Sequence, residues 1–121
     1  MQQIEIHFLE NNGHIKLIAS DEPAKFESGY WSTIGFAKAR CLAKAKAWIL
    51  FHSSQESAAE DGAKSGGRIT GFRVHKGPEY PEFVNRIVFL YDELNEAKGK
   101  KTAKEGWQRT QKIVGYKPCK S

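Results

Sequence analysis

The chain has 121 residues, 40% of them hydrophobic and 27% charged, with a formal net charge of +5. That length supports one hydrophobic core and not two, and no run approaches the roughly 20 apolar residues that span a bilayer. The opening Met1-Gln2-Gln3-Ile4-Glu5 has neither the basic nor the apolar region of a signal peptide, so a single cytoplasmic domain over residues 1–121 is expected.

From Gln3 to Leu9, Ile4, Ile6 and Phe8 alternate with Glu5 and His7, the pattern of a half-buried strand. Asn11-Asn12-Gly13 favours a tight turn, and Ile15, Leu17 and Ala19 alternate after it, which predicts a β-hairpin. Asp21-Glu22-Pro23 ends that strand, and Gly29 ahead of Tyr30-Trp31 reads as a loop. A helix follows, capped by Ser32 or Thr33. Ile34, Ala37, Cys41, Leu42 and Ala45 recur at helical spacing along its core side, with Lys38, Arg40, Lys44 and Lys46 largely outside that stripe.

Trp48-Ile49-Leu50-Phe51 is an apolar run that reads as a buried strand, ending at His52-Ser53-Ser54. Glu56 to Gly67 is small, polar and glycine-rich, a loop with at most a turn of helix. Arg68 to His75 resumes as a strand in which Gly71 permits close backbone approach. Gly77-Pro78 and Tyr80-Pro81 mark another loop, and Arg86 to Tyr91 is again a strand. Beyond Asp92 the pattern dissolves until Trp107 and Ile113-Val114 offer apolar anchors for a final helix or strand. These elements predict an α+β fold. It is a small, curved, mostly antiparallel sheet or partly open barrel of about five strands, with one main helix.

The cysteines, Cys41 and Cys119, form no C-x-x-C pair, and a disulfide framework would need more of them. Cys41 is expected to pack in the helix and Cys119 to be incidental, which fits a reducing compartment. Charge is unevenly placed. Residues 98–121 hold eight basic residues and one acid, a net of +7, leaving eleven basic and thirteen acidic residues before them, a net of −2. A basic segment on a nearly neutral body suggests a polyanionic partner, most simply nucleic acid, RNA or DNA. A solvated tail that keeps the chain soluble would look the same.

No catalytic set emerges. There is no G-x-S-x-G elbow, and His52, Ser53 and Ser54 are neighbours whose side chains alternate in direction along a strand. His7, His14, His52 and His75 lack metal-ligand spacing. Asp92, Glu96 and Lys98 fall where strand character has ended, and Gly62 to Gly71 holds no P-loop Lys-Ser pair. No metal and no cofactor is expected. More suggestive are Tyr30-Trp31 before the helix, Phe51-His52-Ser53-Ser54 at the end of one strand, and Phe72-Arg73 in a strand that would neighbour it. Aromatic faces stack bases and hydroxyls bind base edges, although Phe51 and Phe72 read better as core than as pocket, while Trp31, outside any periodic apolar face, reads as pocket lining.

The run Ala39-Arg40, Trp48 to Ser53, Ile69-Thr70-Gly71-Phe72-Arg73-Val74 and Arg86 to Leu90 resembles the PUA-like superfamily, and within it the EVE domains. The likeness covers Tyr30 to Tyr91. The Lys-Ser-Glu-Pro opening of EVE domains is missing, and Lys44-Ala45-Lys46-Ala47 stands where the family has Gly-Asp. The resemblance implies a nucleic-acid-binding module that reads a modified base in an aromatic pocket of Trp31, His52, Ser53, Ser54 and Phe72. Phosphates would be held by Arg40, Lys44, Arg73, Lys100, Lys101 and Lys104. One alternative is a protein-interaction factor, such as a phage or mobile-element inhibitor with a protein partner. Another is a small amidohydrolase of the related ASCH type.

Overall fold

A computed structural model describes residues 3–11, 13–19 and 23–119. The fold is α+β, with a seven-stranded sheet in the order β2-β3-β6-β5-β4-β1-β7. The strands are β1 Glu5–Leu9, β2 Lys16–Ala19, β3 Lys25–Glu27, β4 Trp48–His52, β5 Ser65–Val74, β6 Ile87–Glu93 and β7 Gln111–Val114. Helices α1 Phe36–Lys44 and α2 Gln55–Glu60 interrupt them. The sheet has more strands than expected and is open, with β2 and β7 as its edges. It is mostly antiparallel, but β1 and β4 run parallel.

That parallel pair overturns the N-terminal hairpin. β1 lies between β4 and β7, while β2 pairs with β3 at the far edge of the sheet. Burial explains the separation. Ile6, His7 and Phe8 are all fully buried, so both faces of β1 need an interior position. Leu17 and Ile18 of β2 are 50% and 47% exposed, which only an edge tolerates. Asn12 of the expected turn, and Asp21 and Glu22 of the expected break, lie outside the described residues. Lys25 to Glu27, to which the sequence pattern assigns no element, forms β3 and pairs along β6.

One face of the sheet carries the main core. Ile6, Phe8, Ile49, Phe51, Ile69, Phe89 and Tyr91 pack there with Ala39 and Leu42 of α1. The helix starts later than expected, at Phe36, with Gly35 as an N-cap that offers no side chain, and the Thr33 hydroxyl instead donates to the Gln111 side chain. Ala37 and Ala45 of the expected stripe face solvent. On the opposite face Trp48, Leu50, Ala63 and Ala97 form a smaller cluster. β4 therefore buries both of its sides, as its unbroken apolar run implied.

Two glycines make the crowded start of β5 possible. A Cβ on Gly67 would lie 1.7 Å from the Asp92 carbonyl oxygen, and one on Gly66 2.1 Å from that of Ile49. Only a bare backbone can pair with β4 and β6 at that spacing. Ser54 caps α2 in a reciprocal capping box with Ser57.

Cys41 and Cys119 are joined by a disulfide, contrary to the expectation of a packed and an incidental thiol. The bond ties the C-terminal segment to α1 across a sequence separation of 78. It also removes the cysteine-based argument for a reducing compartment. Among the described residues, no helix is long and apolar enough to cross a membrane.

Candidate functional site

A cavity of about 670 Å³ opens where β2, β3 and β5 meet the loop after β5. Its construction begins with Ser28 and Trp31. Their backbones pair with Phe89 and Ile87 of β6 at 2.8 to 3.2 Å, and the Ser28 hydroxyl accepts from both the Phe89 amide and the Trp31 indole. Trp31 thereby turns inward and stacks on Phe8 with 3.7 Å between ring centroids. By alternation its neighbour Tyr30 turns outward into the cavity.

Around Tyr30 stand other rings. His75 lies 4.7 Å away, Phe83 5.0 Å, Tyr80 5.5 Å and His14 5.7 Å, all between centroids. His75 is buried. Its Nε2 donates to the Glu79 carbonyl at 2.6 Å, leaving Nδ1 to accept from Arg73 at 3.4 Å. Arg73 also donates to both oxygens of Glu27, at 2.6 and 3.3 Å. That bond, more than any other interaction, holds the guanidinium pKa above its ordinary value. Arg73 and Glu27 thus neutralise each other in the cleft, and the Tyr30 and Tyr80 rings line it together with Lys16 and Leu17.

A second cavity of about 330 Å³ shares the His14 and Tyr30 wall. Glu10, Trp31, Arg86 and Arg109 line it, and the Arg86 guanidinium sits 4.6 Å over the Phe83 ring. Arg109 belongs to the basic C-terminal segment, so that segment reaches the cavity adjoining the aromatic cleft.

The expected pocket residues are spread over three places. Trp31 is a core residue, 8% exposed, whose edge reaches the smaller cavity. Phe72 is half-buried, edge-on to Phe36 of α1 at 5.3 Å. Ser53 is exposed and its carbonyl accepts from Asn11, while Ser54 caps α2. His52 lies on the sheet face opposite α1. The expected phosphate contacts are similarly divided. Arg73 is in the cleft, paired with Glu27; Arg40 and Lys44 are exposed on α1. Lys100 lies 4.6 Å over the Trp48 ring, and Lys101 and Lys104 are exposed beyond it.

The parallel pairing of β1 and β4 brings together two histidines that sequence spacing kept apart. The His7 and His52 ring nitrogens are 2.8 Å apart, and His7 Nε2 donates to Glu5 at 2.9 Å. With that donor assigned and both rings neutral, His7 Nδ1 accepts from His52 Nε2. Neither His52 Nδ1 nor the Trp107 indole nitrogen has a hydrogen-bond partner of good geometry among the described residues. Burial, and then the proximity of His7, push the His52 pKa down to about 4, against the smaller opposing influence of the Gly62 backbone. The His7 hydrogen bond holds the Glu5 carboxyl below its usual range. No group of three or more His, Cys, Asp or Glu residues able to hold a metal occurs among the described residues.

Sequence reasoning missed Tyr80, His14 and Glu27 as cleft residues and Phe83 as a residue of the adjoining cavity. A signal did exist for Tyr80 and Phe83, since the loop after β5 places two rings outside any strand period. Comparison with protein-family models, with curated proteins and with solved structures finds no match for this chain.

Proposed function

We propose that this chain is a nucleic-acid-binding module that holds one unstacked base in the cleft of Tyr30 and Tyr80, with Phe83 on the wall shared with the smaller cavity. The observation that carries the reading is the adjacency of two cavities across one aromatic wall. The larger has ring faces for a base, and the smaller has Arg86 and Arg109 for the neighbouring phosphates. Stacking on a ring contributes about 1–3 kcal/mol per base. Arginines beside it add a charge-dependent, sequence-independent share. The resemblance of Tyr30 to Tyr91 to PUA-like and EVE domains points the same way, with the pocket moved from the residues it implied. A fluorescence-anisotropy titration with short single-stranded RNA and DNA, plain and base-methylated, tests this at low and moderate salt. Salt-sensitive binding that falls in Tyr80→Ala supports it; no binding at low salt refutes it.

A second reading rests on β2. This edge strand exposes Leu17 and Ile18 on opposite faces, a surface suited to a protein partner. A single stoichiometric protein partner retained after nuclease treatment, and lost in Ile18→Lys, would favour it.

A further inference from the structure

Toward the other end of β5, a cavity of about 460 Å³ lies between the end of α1, the residues before β1 and the segment after β7. Lys46, Arg68 and Lys117 line it, and none of its described lining residues is acidic. Three cations gathered without a carboxylate repel one another, so the arrangement favours an anionic guest.

Arg68 is already positioned. Its Nε donates to the Lys46 carbonyl at 2.5 Å, and its guanidinium carbon lies 5.0 Å from the Trp48 ring centroid. Trp48 is itself held by donating to the Gln3 side chain. One N–H and one face of the guanidinium are therefore committed. Among the described residues no carboxylate pairs with Arg68, which leaves its terminal nitrogens as a planar donor fork. Such a fork matches the oxygens of a phosphate group. Lys46 follows α1 at φ +51°, the turn that aims its carbonyl at Arg68. Lys117 lies two residues before Cys119, whose bond to Cys41 ties this segment to α1.

We propose that this cavity is a phosphate-group site, with Arg68 as the bidentate donor, Lys46 and Lys117 as flanking charges, and the Cys41–Cys119 bond holding Lys117 in place. The site is separate from the aromatic cleft and does not depend on it. Its phosphate can come from a small phosphorylated molecule or from a polynucleotide backbone.

The test is a ¹H–¹⁵N NMR titration of the oxidised protein with inorganic pyrophosphate, and separately with oligothymidylate lacking terminal phosphates. Saturable shifts centred on the Arg68 Nε–H and the Lys46 and Gly115 amides are expected. Affinity at these resonances should fall several-fold in Lys117→Gln and Arg68→Gln, while the rest of each spectrum stays as in the parent, and should be unchanged in Tyr80→Ala. Saturation by pyrophosphate alone supports a small-molecule source, and saturation by both probes supports a backbone. No saturable shift with either probe, or unchanged affinity in both charge variants, overturns the site. Affinity that survives reduction of the disulfide overturns the part assigned to that bond.

Discussion

Lowering the pH from 7 to 4.5 should destabilise the fold through His52. In the folded chain the His52 pKa is depressed to about 4, whereas an unfolded histidine titrates near 6.5. Between those values the unfolded chain binds the extra proton, so stability rises with pH and is lost as pH falls through that window. Integrating the difference gives a loss of about 2 kcal/mol between pH 7 and 4.5. For a domain of this size that corresponds to roughly 10 °C in Tm. The charged and polar neighbours all bear on the sign: His7 and Lys64 oppose a proton on His52, while the Gly62 backbone favours one. Glu5 acts separately. Its depressed carboxyl contributes stability that is fully present well above its ordinary value of 4.5 and is lost mostly below that value, so an endpoint of 4.5 keeps its share small. Urea denaturation at the two pH values measures the loss, and His52→Gln isolates it, since that side chain can still donate to His7 but does not titrate. The variant should lose about 2 kcal/mol less than the parent over the same interval. An equal loss in both proteins would show that His52 is not the group responsible.

Other outcomes follow from packing and charge. Trp31→Ala should cost about 3–5 kcal/mol of stability by chemical denaturation, because the ring is core stacked on Phe8; a well-folded variant altered only in base selectivity would contradict that placement. Gly67→Ala should cost roughly 3–5 kcal/mol or prevent folding, as its Cβ meets the Asp92 carbonyl at 1.7 Å. Circular dichroism and thermal melting read this, with a parent-like melt as the contrary result. Arg86→Ala and Arg109→Ala should each weaken oligonucleotide binding alike for all sequences and reduce the salt slope by about 1. An unchanged slope would remove them from the phosphate path.

Much of the sheet is legible in the sequence because its cues are local. The apolar run at Trp48, the strand from Arg68 and the alternation from Ile87 each carry their own period and flanking turn residues. Partnership is another matter. The same alternating pattern suits β1 beside β2 or beside β4, and only burial of both its faces decides. That one choice places His7 against His52, so the histidine pair stays hidden until the topology is known. The cleft is hidden for a similar reason, since Tyr30 and Tyr80 meet through the β3–β6 and β5–β6 pairings rather than through proximity in the chain. The Cys41–Cys119 bond has no spacing signature at all. Basic residues near the C-terminus were visible as a cluster in sequence, yet folding divides them. Arg109 reaches the cavity adjoining the cleft, Lys100 covers Trp48, and Lys117 lines a different cavity.

The most direct test of base binding in the cleft is photocrosslinking to a short single-stranded oligonucleotide carrying one 5-iodouracil, with the attachment point mapped by mass spectrometry. Crosslinks at Tyr30, Tyr80 or Phe83 are expected, and they should disappear in the presence of excess unmodified oligonucleotide. Attachment confined to residues outside the cleft, or crosslinks that competitor leaves unchanged, would contradict it.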